Sequence, residues 1–134
     1  MEPAINFAAP VRVLLVEDEC LISEWMAEAL SDQGFVVRAV TNAADALRYL
    51  GSAPVDVLFT DINLVGDMDG VTLAHRAREL LPHLPVVYAS ARANRLDPRV
   101  LVPGSIFVSK PYLPEMVGRL LAEASNPIAE CVPA

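Results

Sequence analysis

The chain has only two cysteines, Cys20 and Cys131, and neither has a CxxC partner. Two distant thiols make neither a disulfide framework nor a cysteine metal site, so we expect a reducing, cytoplasmic setting. No apolar stretch approaches the ~20 residues that cross a bilayer, and no membrane role is expected. No Lys or Arg precedes Arg12, while Glu2 stands near the start; a secretory signal has the opposite charge pattern. Positive charge is scarce, with 10 Lys and Arg against 17 Asp and Glu and a net charge of −7. Nucleic-acid binding needs clustered cations for phosphate, so no direct nucleic-acid contact is expected. No Gly-rich loop follows the first apolar run. Acids stand there instead, Glu17-Asp18-Glu19. They would repel a phosphate lacking its metal, which argues against a nucleotide- or flavin-binding domain.

What is present is apolar and regular. The 134 residues suit one domain, and 54% of them are hydrophobic, which fits a parallel sheet covered on both faces. Runs at 11–16, 35–40, 55–60, 85–90 and 105–108 read as strands. Between them lie helical patterns. The first spans about 21–33, with Leu21, Ile22, Trp25, Met26, Ala29 and Leu30 on one packed face and Gly34 just past its end. The second carries Ala43, Ala46, Leu47 and Leu50 behind a Thr41 or Asn42 cap. The third carries Val71, Ala74, Ala77 and Leu81 behind Asp69. The last carries Leu113, Met116, Val117, Leu120, Leu121 and Ala124. Residues 91–104 are irregular: 91–96 fit a helix, but Pro98 and Pro103-Gly104 shorten or distort it. His75 and His83 read as surface or half-buried residues, not as ligands or phosphate carriers. A lead at 1–10, a domain at 11–125 and a flexible tail at 126–134 complete the reading. Alternating strands and helices argue an α/β fold with parallel strands.

In such a sheet, ligands bind outside the carboxyl ends of the strands. Those ends carry Glu17 and Asp18 from strand one, Asp61 from three, Ser90 from four and Lys110 from five. Each has an ordinary reading alone: a charged first helical turn, a loop opener, a strand-end hydroxyl, a turn. Asp61 itself sits where its strand stops being buried. Together they are three carboxylates that repel unless a cation joins them. A hard divalent ion such as Mg²⁺ takes such oxygens. Mg²⁺, an ammonium and a hydroxyl around one exposed Asp fit phosphoryl transfer onto that Asp.

Over about residues 11–125 the chain resembles the response-regulator receiver domains of two-component signalling. The resemblance is carried by Val13-Leu14-Leu15-Val16-Glu17-Asp18-Glu19, Asp61, Met68-Asp69-Gly70, Ser90-Ala91 and Lys110-Pro111. It implies a flavodoxin-like, doubly wound, five-stranded parallel sheet of order 2-1-3-4-5 with about five helices, the fourth short or irregular. It implies Asp61 as phospho-acceptor. Glu17, Asp18, Asp61 and the Asn63 backbone carbonyl would hold Mg²⁺, and Lys110 would contact the phosphoryl group. Ser90 and Phe107 would form the switch pair. The implied donor is a sensor histidine kinase or phosphotransfer protein. The downstream partner would dock on the face of the fourth helix, fifth strand and fifth helix. The chain departs from the family in two places. Leu64-Val65-Gly66-Asp67 stands where a proline often follows the acceptor, in a loop one residue longer before Asp69-Gly70. The span from Ser90 to Phe107 is short and holds Pro98 and Pro103. Both features resemble a subset of receivers that serve atypical sensor kinases, often as stand-alone proteins.

A stand-alone receiver is the expectation, its output a protein contact or a phosphate hand-off; it would be no enzyme beyond its own phosphorylation and dephosphorylation. A receiver module detached from a hybrid kinase is the alternative within signalling. A small Asp-nucleophile phosphatase is a third reading, but those want Asp-x-Asp after the first strand. Here the acceptor candidate follows strand three, with Asn63 two positions on.

Overall fold

The structure is a computed structural model that describes residues 9–91 and 97–125. Five strands form one sheet: β1 (Arg12–Val16), β2 (Val36–Val40), β3 (Val57–Asp61), β4 (Val86–Ser90) and β5 (Ile106–Ser109). All pairs are parallel and the spatial order is β2-β1-β3-β4-β5. Among the described residues there are four α-helices: α1 (Cys20–Asp32), α2 (Ala43–Leu50) and α3 (Gly70–Leu80) between successive strands, and α4 (Pro114–Ala124) after β5. The expected order holds.

β3 and β4 are buried end to end and β1 from Val13 onward, so alternate residues feed two different cores. Leu14, Val16, Leu58, Val86 and Tyr88 pack with Ala43, Ala46 and Leu50 of α2 and Leu73, Ala74 and Ala77 of α3. Val13, Leu15, Val57, Phe59, Val87, Ala89 and Val108 pack with Met26 and Leu30 of α1 and Val117 and Leu121 of α4. Each buried Val, Leu, Phe or Met among them stabilises the fold by roughly 1.5–3 kcal/mol. Local signals start two helices as expected. Asn42 Oδ1 accepts from the Asp45 N–H at 2.8 Å, and Asp69 Oδ1 accepts from the Thr72 N–H at 2.8 Å. Each satisfies one orphan donor of a first turn.

Three expectations change. Trp25 and Leu21 do not join the packed face of α1: they are 50% and 82% exposed. The helix meets the sheet through Met26 and Leu30, a narrower stripe than the run of apolar residues suggests. Likewise Leu113 and Met116 are exposed at the start of α4, where Pro114, Val117, Gly118 and Leu121 are the buried residues. Third, Asp61 is the last residue of β3 and is buried, as is Ile62 after it. Burial therefore extends past the strand end. The expected helix at 91–96 lies outside the described residues apart from Ala91, and so does the tail at 126–134. Pro98–Val100 is a single 3-10 turn.

Candidate functional site

The sheet order reverses between β1 and β3, and the carboxyl ends of these strands meet there. β1 leads into Glu17, whose N–H donates to the Val40 carbonyl at 3.2 Å. β3 ends at Asp61, paired with Ala89 of β4. β4 ends at Ser90, opposite Ser109 of β5. The Ser90 carbonyl accepts from the Lys110 N–H at 2.9 Å, so β5 delivers Lys110 to the same edge.

The side chains converge. Lys110 Nζ donates to Asp61 Oδ2 at 2.9 Å and to Glu17 Oε1 at 3.4 Å. Carboxylate oxygens of Glu17, Asp18 and Asp61 lie within 4.8 Å of one another. Glu17 is 2% exposed and Asp61 7%. Backbone amides hold the acids. Glu17 Oε2 accepts from the Glu19 N–H at 3.1 Å, Asp61 Oδ1 from the Asn63 N–H at 3.1 Å, and Asp18 Oδ2 from the Val65 N–H at 2.8 Å. Burial pushes the Glu17 carboxyl above its ordinary value, although the Glu19 amide and Lys110 act the other way. For Lys110, burial opposes the charge, but the bond to Asp61 and the charges of Asp61 and Glu17 overcome it and push the ammonium up. One ammonium among three acids leaves a formal excess of two negative charges. An all-oxygen donor set with that excess fits a hard divalent cation, and Glu17, Asp18 and Asp61 could hold one.

The other predicted residues are near but differ in kind. Ser90 is buried at the strand end, 2% exposed. Phe107 is half-buried, packed against the core on the α2 and α3 side and opposite Tyr88 in register. Asn63 is exposed and sets its backbone beside the Asp61 carboxylate.

Sequence reasoning missed a groove of about 320 Å³ lined by Ile22, Trp25, Ala91, Lys110, Pro111 and Tyr112. Its wall includes Lys110, whose ammonium pairs with Asp61. Burial pushes the Tyr112 hydroxyl up to about 12, and its ring lies 5.9 Å from that of Phe59. Trp25 carried the only signal: it is the sole tryptophan, three residues beyond Ile22 on the same helix.

Fold and pocket define an open α/β sheet protein with a carboxylate–lysine site at its topological switch point. The model of the response regulator receiver domain matches residues 13–119. The chain belongs to that family, and as such is a phosphoryl-accepting signalling module. It is 35% identical over 103 residues to the response regulator receiver protein CpdR of Brucella abortus (strain 2308), covering 75% of this chain and 85% of that protein. It is 34% identical over 116 residues to the transcriptional regulatory protein TrcR of Mycobacterium tuberculosis (strain ATCC 25618 / H37Rv), covering 84% of this chain and 44% of that protein. The chain thus spans less than half the length of TrcR. Among solved structures, a response regulator receiver protein from Sinorhizobium medicae WSM419 superposes with a TM-score of 0.81 at 33% identity, covering 87% of this chain and 95% of that one.

Proposed function

We propose that Asp61 is the phospho-acceptor of this receiver. The observation that carries the reading is the Lys110 Nζ contact to Asp61 Oδ2 at 2.9 Å, inside a group that also brings Glu17 and Asp18 to Asp61. An Asp61 oxygen attacks the phosphorus of a phosphohistidine. The P–N bond breaks, the imidazole nitrogen leaves with its electron pair, and an aspartyl phosphate remains. Water later attacks the phosphorus, releasing inorganic phosphate and restoring the carboxylate. Mg²⁺, held by Glu17, Asp18, Asp61 and the Asn63 carbonyl, would supply charge neutralisation for the phosphoryl oxygens. Lys110 takes one phosphoryl oxygen, giving up its bond to Asp61. Ser90 offers its hydroxyl to another, and Phe107 turns inward with it. The donor is a histidine kinase or phosphotransfer protein in the cytoplasm. The output is a protein contact made by the β5 and α4 face.

The test is intact mass after incubation with acetyl phosphate and Mg²⁺. One added phosphoryl group is expected, absent in Asp61→Asn and absent without the metal. Labelling of Asp61→Asn at the wild-type rate would sink the assignment.

The groove shares Lys110 with the Asp61 site, and its apolar wall offers a protein donor an anchor. Buried aromatic anchors are the usual hot spots of interfaces, worth about 2 kcal/mol or more. Trp25→Ala should therefore lower phosphotransfer from a phosphohistidine protein roughly thirtyfold. Labelling by acetyl phosphate, which needs no docking, should stay unchanged. Equal losses with both donors would show that Trp25 acts on the pocket itself.

A further inference from the structure

The loop after the acceptor is fastened at two points. The Leu64 side chain is buried in the core, 8% exposed. The next residue, Val65, has its side chain in solvent, 79% exposed, while its N–H donates to Asp18 Oδ2 at 2.8 Å. Gly66 follows at φ +118°, a conformation that side-chain-bearing residues rarely adopt, and turns the chain away. Two residues before Val65, the Asn63 N–H donates to Asp61 Oδ1 at 3.1 Å. Alternate amides of one loop thus hold carboxylates that come from two different strands.

We propose that the Val65 backbone N–H is a positioning group for the cation site. It fixes Asp18 through Oδ2 and leaves the other oxygen to the ion. This rests on reading the pocket as a Mg²⁺ site. Without the amide, Asp18 faces Glu17 and Asp61 within 4.8 Å, and repulsion turns its carboxylate outward when no cation is bound. Re-aiming it then opposes Mg²⁺ binding. The amide also makes loop position and cation affinity interdependent, because whatever moves Val65 releases Asp18. Proline, the residue that often follows the acceptor in the family, has no N–H to give. The contact is therefore a property of this loop's sequence. Partners of this kind, one step out from a metal, change metal affinity by 10–100-fold when removed.

The experiment is calorimetric titration of the folded protein with Mg²⁺, alongside urea unfolding in metal-free buffer. Val65→Ala keeps the N–H and should bind as wild type. Val65→Pro removes it and should bind about tenfold more weakly. In an Asp18→Ala background, Val65→Pro should have no further effect, since the two groups act as one unit. Wild-type affinity in a folded Val65→Pro would overturn the inference alone. Absence of Mg²⁺ binding by the wild type would overturn the reading of the pocket as well. Should Val65→Pro fail to fold, hydrogen exchange decides. The Val65 amide should be protected in wild type and unprotected in Asp18→Ala, with the amides of β1 and β3 unchanged. Rapid exchange of that amide in wild type would overturn the proposal.

Discussion

Gly70→Ala should destabilise the protein by about 3 kcal/mol, the upper end of the cost of overpacking a well-packed site, and should slow phosphorylation of Asp61 as well. Gly70 is the first residue of α3 and is buried. Its N–H donates to the Ile62 carbonyl at 2.8 Å, which draws the helix start onto the end of β3. A methyl group there would collide with the Asp61 carbonyl oxygen and carbon and with the Ile62 Cα. All three are backbone atoms, so no flexible side chain can yield. Either α3 withdraws, loosening Leu73 and Ala74, which are fully buried, or the Asp61 backbone moves. The second outcome shifts the carboxylate relative to Lys110. A displacement of about 1 Å in a reacting group can cost a hundredfold in rate. Gly51→Ala is the matched control: at φ −80° and with its nearest atoms at 3.7 Å, an added methyl meets only ordinary contact, and stability should change by less than about 0.5 kcal/mol. Urea unfolding of the two variants, with acetyl phosphate labelling of each, measures both effects. Wild-type stability in Gly70→Ala would refute the close approach of α3 to Asp61.

Gly70 also shows why the site was legible in part. The sequence holds it in Met68-Asp69-Gly70, and Asp69 announces a helix start by its side chain. That the glycine lies beneath Asp61 is a tertiary fact, with no local trace. The strands were legible because a parallel strand covered on both faces has to be apolar at every position, as Val13–Val16 and Val57–Phe59 are. The candidate site residues were legible in combination: three apolar runs lead into charge, at Glu17 and Asp18, Asp61 and Lys110, and a fourth ends in the Ser90 hydroxyl. Their convergence followed from topology: once Asp61 ends β3 and Glu17 follows β1, adjacent strands bring them together.

Helix faces were read less well, for a physical reason. A period of 3.6 assigns apolar residues to a side of the helix, but the width of the buried stripe is set by what the helix lies on. Met26 and Leu30 fall on the line of contact with the sheet. Leu21 and Trp25 fall beside it, so the same periodicity that suggested core left Leu21 in solvent and put Trp25 on a groove wall. Leu113 and Met116 repeat the pattern on α4. Backbone donors leave still less trace: every residue but proline has an N–H, so nothing in the letter at position 65 says that it holds Asp18. The proposed Ser90 and Phe107 switch is of a third kind. It is a difference between two states, and a residue type at one position fixes only where each group starts.

Lys110 is the sole lysine of the chain, and removing its charge should have the largest functional effect after loss of the acceptor. Lys110→Met keeps the stem and removes the ammonium. The rate of labelling by acetyl phosphate should fall by roughly a hundredfold or more, the usual cost of deleting one preorganised group that meets developing charge. Lys110→Arg keeps the charge but replaces a point donor with a planar fork, so it should recover stability and only part of the rate. The stability argument follows from the same contacts. In metal-free protein, Lys110→Met leaves Glu17 and Asp61 facing each other with Asp18 close by. Stripping one partner from a fully buried pair costs about 3–5 kcal/mol. The Lys110 side chain is 22% exposed, so water screens part of the charge and a loss of about 1–2 kcal/mol is expected. Mg²⁺ should restore most of that, because a divalent ion among the three carboxylates supplies the missing positive charge. The rate should stay low in saturating Mg²⁺, since the ion fills its own place and not that of the ammonium. Unfolding with and without Mg²⁺, set against labelling rates, separates the two roles. If the metal rescued rate and stability together, Lys110 would be a counter-ion to the acids and no more.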